Sequence, residues 1–410
     1  MTPTSERNTT RSQELYCSAK RLIAGGTQTI SKQPERFVEG VYPAYVDHAR
    51  GARVWDLDGH EYLDYVLALG PVVLGYCDPD VDRAAKRAID QGILHSANNP
   101  TEVELAEELC RLVPCAEMVR FFKGGADACS AAVRIARFVT GRNRIVCCGY
   151  HGWHDWWAGK RGEPGVPKHV AELTHDLPYG DTAALKVLLD EHGSDVAAVF
   201  VETAVFDFDP EFLRDCRQEC SRHGCLLIFD EIITGFRLAL GGAQEVAGVV
   251  PDMATLGKAM ANGYPIAAVV GRSEILREAA KLWISVTFGS EGASLAAALA
   301  TLKKLEGERV IDHLTRLGTT LKLGWESIGR EFPHSGLRIG GTGAIPALRI
   351  QDEKVETGLM REMISRGFLI RRGHYWFTAM MHTEADAART LDAMREALLA
   401  VSPVLRGERA

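Results

Sequence analysis

Five short apolar runs alternate with amphipathic stretches through the middle of the chain, and no other feature constrains the fold as much. The runs are 118–122 (MVRFF), 144–148 (RIVCC), 196–202 (VAAVFVE), 225–230 (CLLIFD) and 266–271 (IAAVVG). Segments with helical spacing lie between them, among them 128–139 and 210–224. Strands apolar on both faces and joined by helices belong in a mostly parallel sheet covered on both sides. An α/β fold is therefore predicted. At 410 residues, 46% of them hydrophobic, the chain exceeds what one core usually serves. The expected division is a large domain over 51–304, with a smaller α+β domain formed by 305–410 and the N-terminal segment 1–50. Residues 1–12 read as a disordered tail, and 52–66 as a hairpin turning at Asp58-Gly59. Thr101 with Glu104 reads as a capping box.

Charge and cysteine usage narrow the partners. Lys plus Arg is 47 against 54 for Asp plus Glu, a net charge of −7, with no long basic stretch. Such a surface does not suit nucleic acid, and small molecules are the expected partners. Ten cysteines in 410 residues are too sparse for a disulfide scaffold, and no metal site is expected. MTPTSERNTTRSQ lacks the apolar core of a signal peptide, and no apolar run approaches the ~20 residues of a membrane span. A cytoplasmic protein is expected.

The chemistry-bearing residues follow the apolar runs. CLLIFDEIITGFR ends its strand in Asp230-Glu231, at the sheet edge where open α/β folds place ligands. Asp230 either faces a ligand or caps the next element. Lys258 follows the next short apolar run, between Gly257 and a small-residue stretch. Lysine serves as a Schiff-base nucleophile when desolvated or held near another cation. A carboxylate ending one strand and a lysine beyond the next suggest pyridoxal 5'-phosphate. The carboxylate would keep the pyridine nitrogen protonated while the lysine forms the imine. Gly124 and Gly125 stand between a strand and a helix, where backbone N–H groups suit a phosphate, although many such turns bind no anion. Tyr150, in Tyr150-His151-Gly152, either stacks on a flat cofactor or packs at the core edge.

Glycine turn, aromatic, aspartate and lysine occur in one order, and together they resemble the class III aminotransferases of the fold-type I pyridoxal phosphate enzymes. The likeness is greatest to the glutamate-1-semialdehyde aminomutase branch, in a variant like those of polysaccharide and amino-sugar synthesis. It runs from GGTQTISK near residue 25 to the C-terminal helix. Its most specific blocks are FVTGRNRIV with YHG, LIFDEIITGFR, ATLGKAMANGYPIAAVVG and VTFGSEGASLAAALATL. The resemblance implies that Lys258 is the Schiff-base lysine and proton shuttle, and that Asp230 pairs with the pyridinium nitrogen. It implies Tyr150 and Ile232 on the two ring faces and Gly124, Gly125 and Ala126 as the phosphate turn. Thr287 matches a threonine that reaches the phosphate from the neighbouring subunit, which implies a homodimer with the site at its interface. Glu202 matches a strand-ending glutamate whose role is structural. The implied cycle takes an amino group from a donor such as glutamate, passes through the pyridoxamine 5'-phosphate form, and delivers it to a carbonyl acceptor.

The departures concern the substrate. The turn reads Gly124-Gly125-Ala126 where Ser-Gly-Thr is common, Thr203 replaces a proline, and Asp207 stands for an asparagine. Lys32 falls near the arginine that holds the aminomutase substrate's carboxylate, and His374 stands where an acidic gate is expected. A lysine lacks arginine's bidentate fork, so aminomutase chemistry on glutamate-1-semialdehyde is not expected. Trp153, Trp156, Trp157, Tyr375 and Trp376 suit a sugar-like or other hydroxylated acceptor, or else pack beneath a loop. Arg371 and Arg372 are either solvated or turned inward onto a carboxylate. An isomerase or epimerase on the same cofactor is the second reading. A non-catalytic scaffold is the third, disfavoured by the intact Asp230 and Lys258.

Overall fold

All five predicted strands enter one sheet of the structure, a computed structural model that describes residues 7–405. In chain order the strands begin with β1 (Val46–Arg50), β2 (Arg53–Asp56), β3 (Glu61–Asp64), β4 (Met118–Phe122) and β5 (Arg144–Cys148). There follow β6 (Thr174–Asp176), β7 (Val196–Glu202), β8 (Leu226–Glu231), β9 (Met253–Leu256) and β10 (Ala267–Gly271). The last are β11 (Leu337–Thr342), β12 (Ile345–Ile350) and β13 (Phe368–Leu369). The chain divides into two compact units, Pro79–Ile311 and Met1–Asp78 with Asp312–Ala410.

The Pro79–Ile311 unit carries a seven-stranded sheet in the order β4-β10-β9-β8-β7-β5-β6. β10 runs antiparallel to both its neighbours, and the remaining pairs are parallel. β9 and β10 are buried along their whole length and β7 at every residue but its last, the burial expected of a sheet covered on both faces. Helix Gly125–Thr140 turns Ala128, Cys129, Ala131, Ala132 and Ala136 inward, and these small residues let it lie close to its neighbours. β6 escaped the apolar pattern because Thr-His-Asp carries no apolar side chain.

The other unit is built from both ends of the chain. β3 pairs antiparallel with β2 and parallel with β13, so Leu63 lies opposite Phe368. That pairing draws the hairpin into this unit and moves the division from the expected 50/51 to 78/79. The hairpin turns where predicted, with Gly59 at φ +90° and the Asp56 carboxylate accepting from Asp58 N and His60 N. Of the tail expected over 1–12, residues 1–6 lie outside the described residues. Arg7 already donates to Glu61 O (2.7 Å), and a helix spans Thr10–Leu22. The capping box lies two residues upstream of its predicted place. Asn99 Oδ1 accepts from Thr101 N (3.0 Å) and Glu102 Oε1 from Asn99 N (2.9 Å), so Thr101 is already helical. All ten cysteines are unpaired, and among the described residues no helix is long and apolar enough to cross a membrane.

Trp376 belongs to the core of this unit rather than to a substrate wall. It is 3% exposed and packs against Tyr65 (5.2 Å between centroids) and edge-on to the fully buried Trp325 (5.0 Å). Trp376→Ala is therefore expected to lower unfolding free energy by about 3–5 kcal/mol, the range for truncating a buried aromatic. Denaturant unfolding of the purified chain checks this. A loss below about 1 kcal/mol would return Trp376 to the surface role.

Candidate active site

The carboxyl ends of four parallel strands bring the sequence-predicted residues of the Pro79–Ile311 unit to one sheet edge. β8 ends in Asp230-Glu231, β7 in Glu202, β9 leads through Gly257 to Lys258, and β5 leads through Gly149 to Tyr150. Successive residues of a strand face opposite sides, so the two adjacent carboxylates of β8 part company. Glu231 is fully buried and accepts from Ala243 N (2.8 Å), Gln244 N (3.0 Å) and the Thr234 hydroxyl, holding the loop and helix that follow. Asp230 Oδ2 instead meets His151 Nδ1 at 2.7 Å, and its Oδ1 accepts from Ile232 N at 3.0 Å.

His151 was not assigned a role from sequence, yet it is Asp230's nearest partner. Its ring is buried and stacked on Phe200 (4.3 Å, 12°) and Trp156 (5.8 Å, 18°). Burial disfavours the imidazolium, but Cys147 and the Asp230 carboxylate outweigh that effect and lift His151 to about 10. A charged donor is thus held against the carboxylate. Its place between Tyr150 and Gly152 was the only sequence signal. Cys129 and Thr255, the further donors to Asp230, carried none.

Close backbone approaches fasten the surrounding loops. Gly152, at φ +102°, lies so near Ala126 that an added Cβ would stand 2.5 Å from Ala126 Cβ. The Tyr150-His151-Gly152 loop is thereby seated on the glycine turn. Gly149, at φ +97°, passes Glu202 equally closely, and Glu202 Oε2 accepts from Tyr150 N at 2.8 Å. Ile232 reaches both Gly125 and Gly257, its Cδ1 lying 3.1 and 3.2 Å from a Cβ built at each. The predicted turn, the Ile232 side chain and the Lys258 segment therefore meet. Lys258 holds a left-handed backbone (φ +42°), a conformation costing on the order of 1–3 kcal/mol that recurs at functional sites. Thr203, in place of the family's proline, donates from its hydroxyl to Asp230 O at 2.8 Å, and its oxygen lies 2.6 Å from the Thr234 hydroxyl.

Several predicted residues lie elsewhere. Trp157 is buried, donates to Gly149 O (2.9 Å) and meets the Tyr150 ring edge-on at 4.8 Å, so it and Trp156 pack under the loop. Trp153 is exposed and lies edge-on to His154. Asp207 and Thr287 are exposed. Lys32, His374, Tyr375, Arg371 and Arg372 belong to the unit formed by the chain ends. There Arg372 is held by Glu353 (3.0 Å) and Glu356 (3.6 Å), Arg371 is half-buried, and the Nε atoms of both lack a hydrogen-bond partner. Lys32 lines a cavity of about 480 Å³ together with Tyr16, Phe37, Tyr42 and Tyr45.

These features fit pyridoxal phosphate. The first-turn N–H groups of helix Gly125–Thr140 lack intrahelical partners and suit a phosphate. A buried carboxylate with a charged partner suits a protonated ring nitrogen, and Tyr150 leaves more than half of its side chain open. The chain matches the model of the aminotransferase class-III family over residues 38–398 and belongs to that family. It is a fold-type I aminotransferase that uses pyridoxal 5'-phosphate. It is 37% identical to the 3-aminobutyryl-CoA aminotransferase of Cloacimonas acidaminovorans (strain Evry), over 96% of this chain and 98% of that protein. The FumI protein of Sphingopyxis sp. MTA144 has a similar structure, with a TM-score of 0.91 and 28% identity over 98% of each chain. The β-phenylalanine aminotransferase of Variovorax paradoxus aligns with a TM-score of 0.86 and 25% identity, covering 96% of this chain and 95% of that one.

Glu202 supplies a pH test. Burial, then the charge of Asp230, raises its carboxyl from the ordinary 4.5 to about 7. The folded cofactor-free chain thus holds a proton that the unfolded chain releases, so stability contributed by Glu202 falls as pH rises from 4.5 to 7. Glu202→Gln keeps the uncharged shape and the acceptor for Tyr150 N. Its melting temperature should gain on wild type across that window and hold a constant lead above it. Parallel melting curves at every pH would refute this.

Proposed function

We propose that this aminotransferase moves an amino group at the carbon β to a carboxyl or thioester carbonyl. The observation that carries this reading is the 37% identity, along nearly the whole chain, to a 3-aminobutyryl-CoA aminotransferase. The name of the Variovorax relative also puts the reacting amine on a β carbon. A β-keto thioester presents no free carboxylate, so it needs no arginine fork. Lys32, at the sequence position of that fork, agrees with such a substrate. The sugar-like acceptor expected from sequence rested on five aromatic residues, and Trp156, Trp157 and Trp376 are core packing.

In this scheme Lys258 binds the cofactor and carries the proton, while Asp230, held by His151, keeps the ring nitrogen protonated. Tyr150 and Ile232 confine the ring, and Gly124, Gly125 and Ala126 receive the phosphate. Bound pyridoxal phosphate supplies the electron sink. Thr287 completes the phosphate site of a partner subunit in a homodimer. The 93% exposed Trp283 and the 59% exposed Phe288 beside it support an apolar interface. The branch-level likeness to aminomutases is proposed only as shared ancestry of the scaffold.

A donor–acceptor screen tests the substrate class. Amino transfer from 3-aminobutyryl-CoA to 2-oxoglutarate should exceed transfer to hydroxylated ketones at least about tenfold, and Lys258→Ala should be silent in both. Turnover confined to hydroxylated carbonyls would restore the sugar reading. Conversion of glutamate-1-semialdehyde with no added donor would make the enzyme an aminomutase.

The dimer has its own test. Thr287→Val should release pyridoxal phosphate about tenfold more readily, as expected for one lost charge-assisted hydrogen bond. Sedimentation of a cofactor-loaded monomer with undiminished affinity would refute the shared site.

A further inference from the structure

Four donors from four separate elements fix the plane of the Asp230 carboxylate. His151 comes from the loop after β5, Ile232 N from the turn after β8, Thr255 from β9, and Cys129 from helix Gly125–Thr140. The last two are without an assigned role. Cys129 Sγ lies 3.6 Å from Asp230 Oδ2 and 3.6 Å from Thr255 Oγ1, and Thr255 Oγ1 lies 3.4 Å from Asp230 Oδ1. Thiol, hydroxyl and carboxylate form a closed triangle, with Cys129 and Thr255 at most 1% exposed.

We propose that Cys129 is a positioning residue, its thiol tying the carboxylate that meets the cofactor ring to the helix whose first turn meets the phosphate. The inference rests on the proposed role of Asp230. Gly125 opens the helix and Cys129 stands four residues in, about 6 Å along the axis at 1.5 Å per residue. One rigid element therefore carries the phosphate turn at its end and a donor to Asp230 one turn later. A displacement of the carboxylate would tilt that turn. Burial and the Asp230 charge hold the thiol well above its ordinary range, so it stays neutral and donates to the carboxylate.

A buried cysteine also behaves as a small apolar filler, so the test must separate bonding from packing. Full-length protein stripped of cofactor is titrated with pyridoxal phosphate. Affinity, the pH dependence of the bound cofactor's visible absorption, and the melting temperature of the cofactor-free chain are followed. Cys129→Val preserves an apolar side chain and removes the donor, whereas Cys129→Ser preserves a donor. The valine variant should bind about tenfold more weakly and shift the pH profile, while melting near wild type without cofactor. The serine variant should restore both affinity and profile to within about twofold. Equal weakening by serine and valine, or wild-type behaviour of valine beside a weakened Asp230→Asn, would overturn the role of Cys129 alone. Wild-type affinity and pH profile in Asp230→Asn would overturn the assignment of Asp230 itself.

Discussion

A carboxylate at the buried end of a central strand is tolerable only if other groups replace the water it has lost. Asp230 meets that condition through His151 at 2.7 Å and through donors from β9, the following turn and the neighbouring helix. The demand shapes the elements around it. The loop after β5 must turn sharply enough to bring an imidazole beneath β8, and Gly149 and Gly152 supply the positive φ values that permit the turn. Phe200 and Trp156 then clamp the ring in the orientation that points Nδ1 at the carboxylate.

The same loop links the residues at this sheet edge mechanically. Gly152 rests on Ala126 and Tyr150 N on Glu202, while Ile232 spans from Gly125 to Gly257. Pieces of chain from five strand ends thus meet where side chains rest on glycines. A Cβ added at Gly149 or Gly152 would collide with Glu202 or Ala126, and one at Gly125 or Gly257 would press on Ile232. The left-handed backbone at Lys258 fits this setting, because a tightly surrounded segment can sustain a conformation that an isolated one would abandon.

In the unit formed by the chain ends, one aromatic core also walls a cavity. Trp325 and Trp376 fill that core, and Phe37 and Tyr42 belong to it while also lining, with Tyr16 and Tyr45, the cavity that holds Lys32. Arg372 pairs with Glu353 and Glu356, and the Nε atoms of Arg371 and Arg372 are both buried without a hydrogen-bond partner.

The sequence by itself determined the α/β fold, because strands buried on both faces must be apolar throughout and helices must bring them back parallel. β5, β7 and β8 were readable for that reason, while β4 and β10 were readable as apolar runs although β4 is only partly buried and β10 runs antiparallel, and Asp230 and Lys258 stood out as polar residues directly after apolar runs. Only the tertiary structure decided which groups complete Asp230. Its partner His151 lies 79 residues away and Cys129 lies 101, and no local period encodes such a contact. Tertiary pairing also decided that β3 joins β13 and so carries the hairpin into the unit made by the chain ends. It likewise sent Trp156, Trp157 and Trp376 inward. Residue type and spacing record what a side chain is able to do, whereas burial and partner choice depend on surfaces brought together only when distant segments fold.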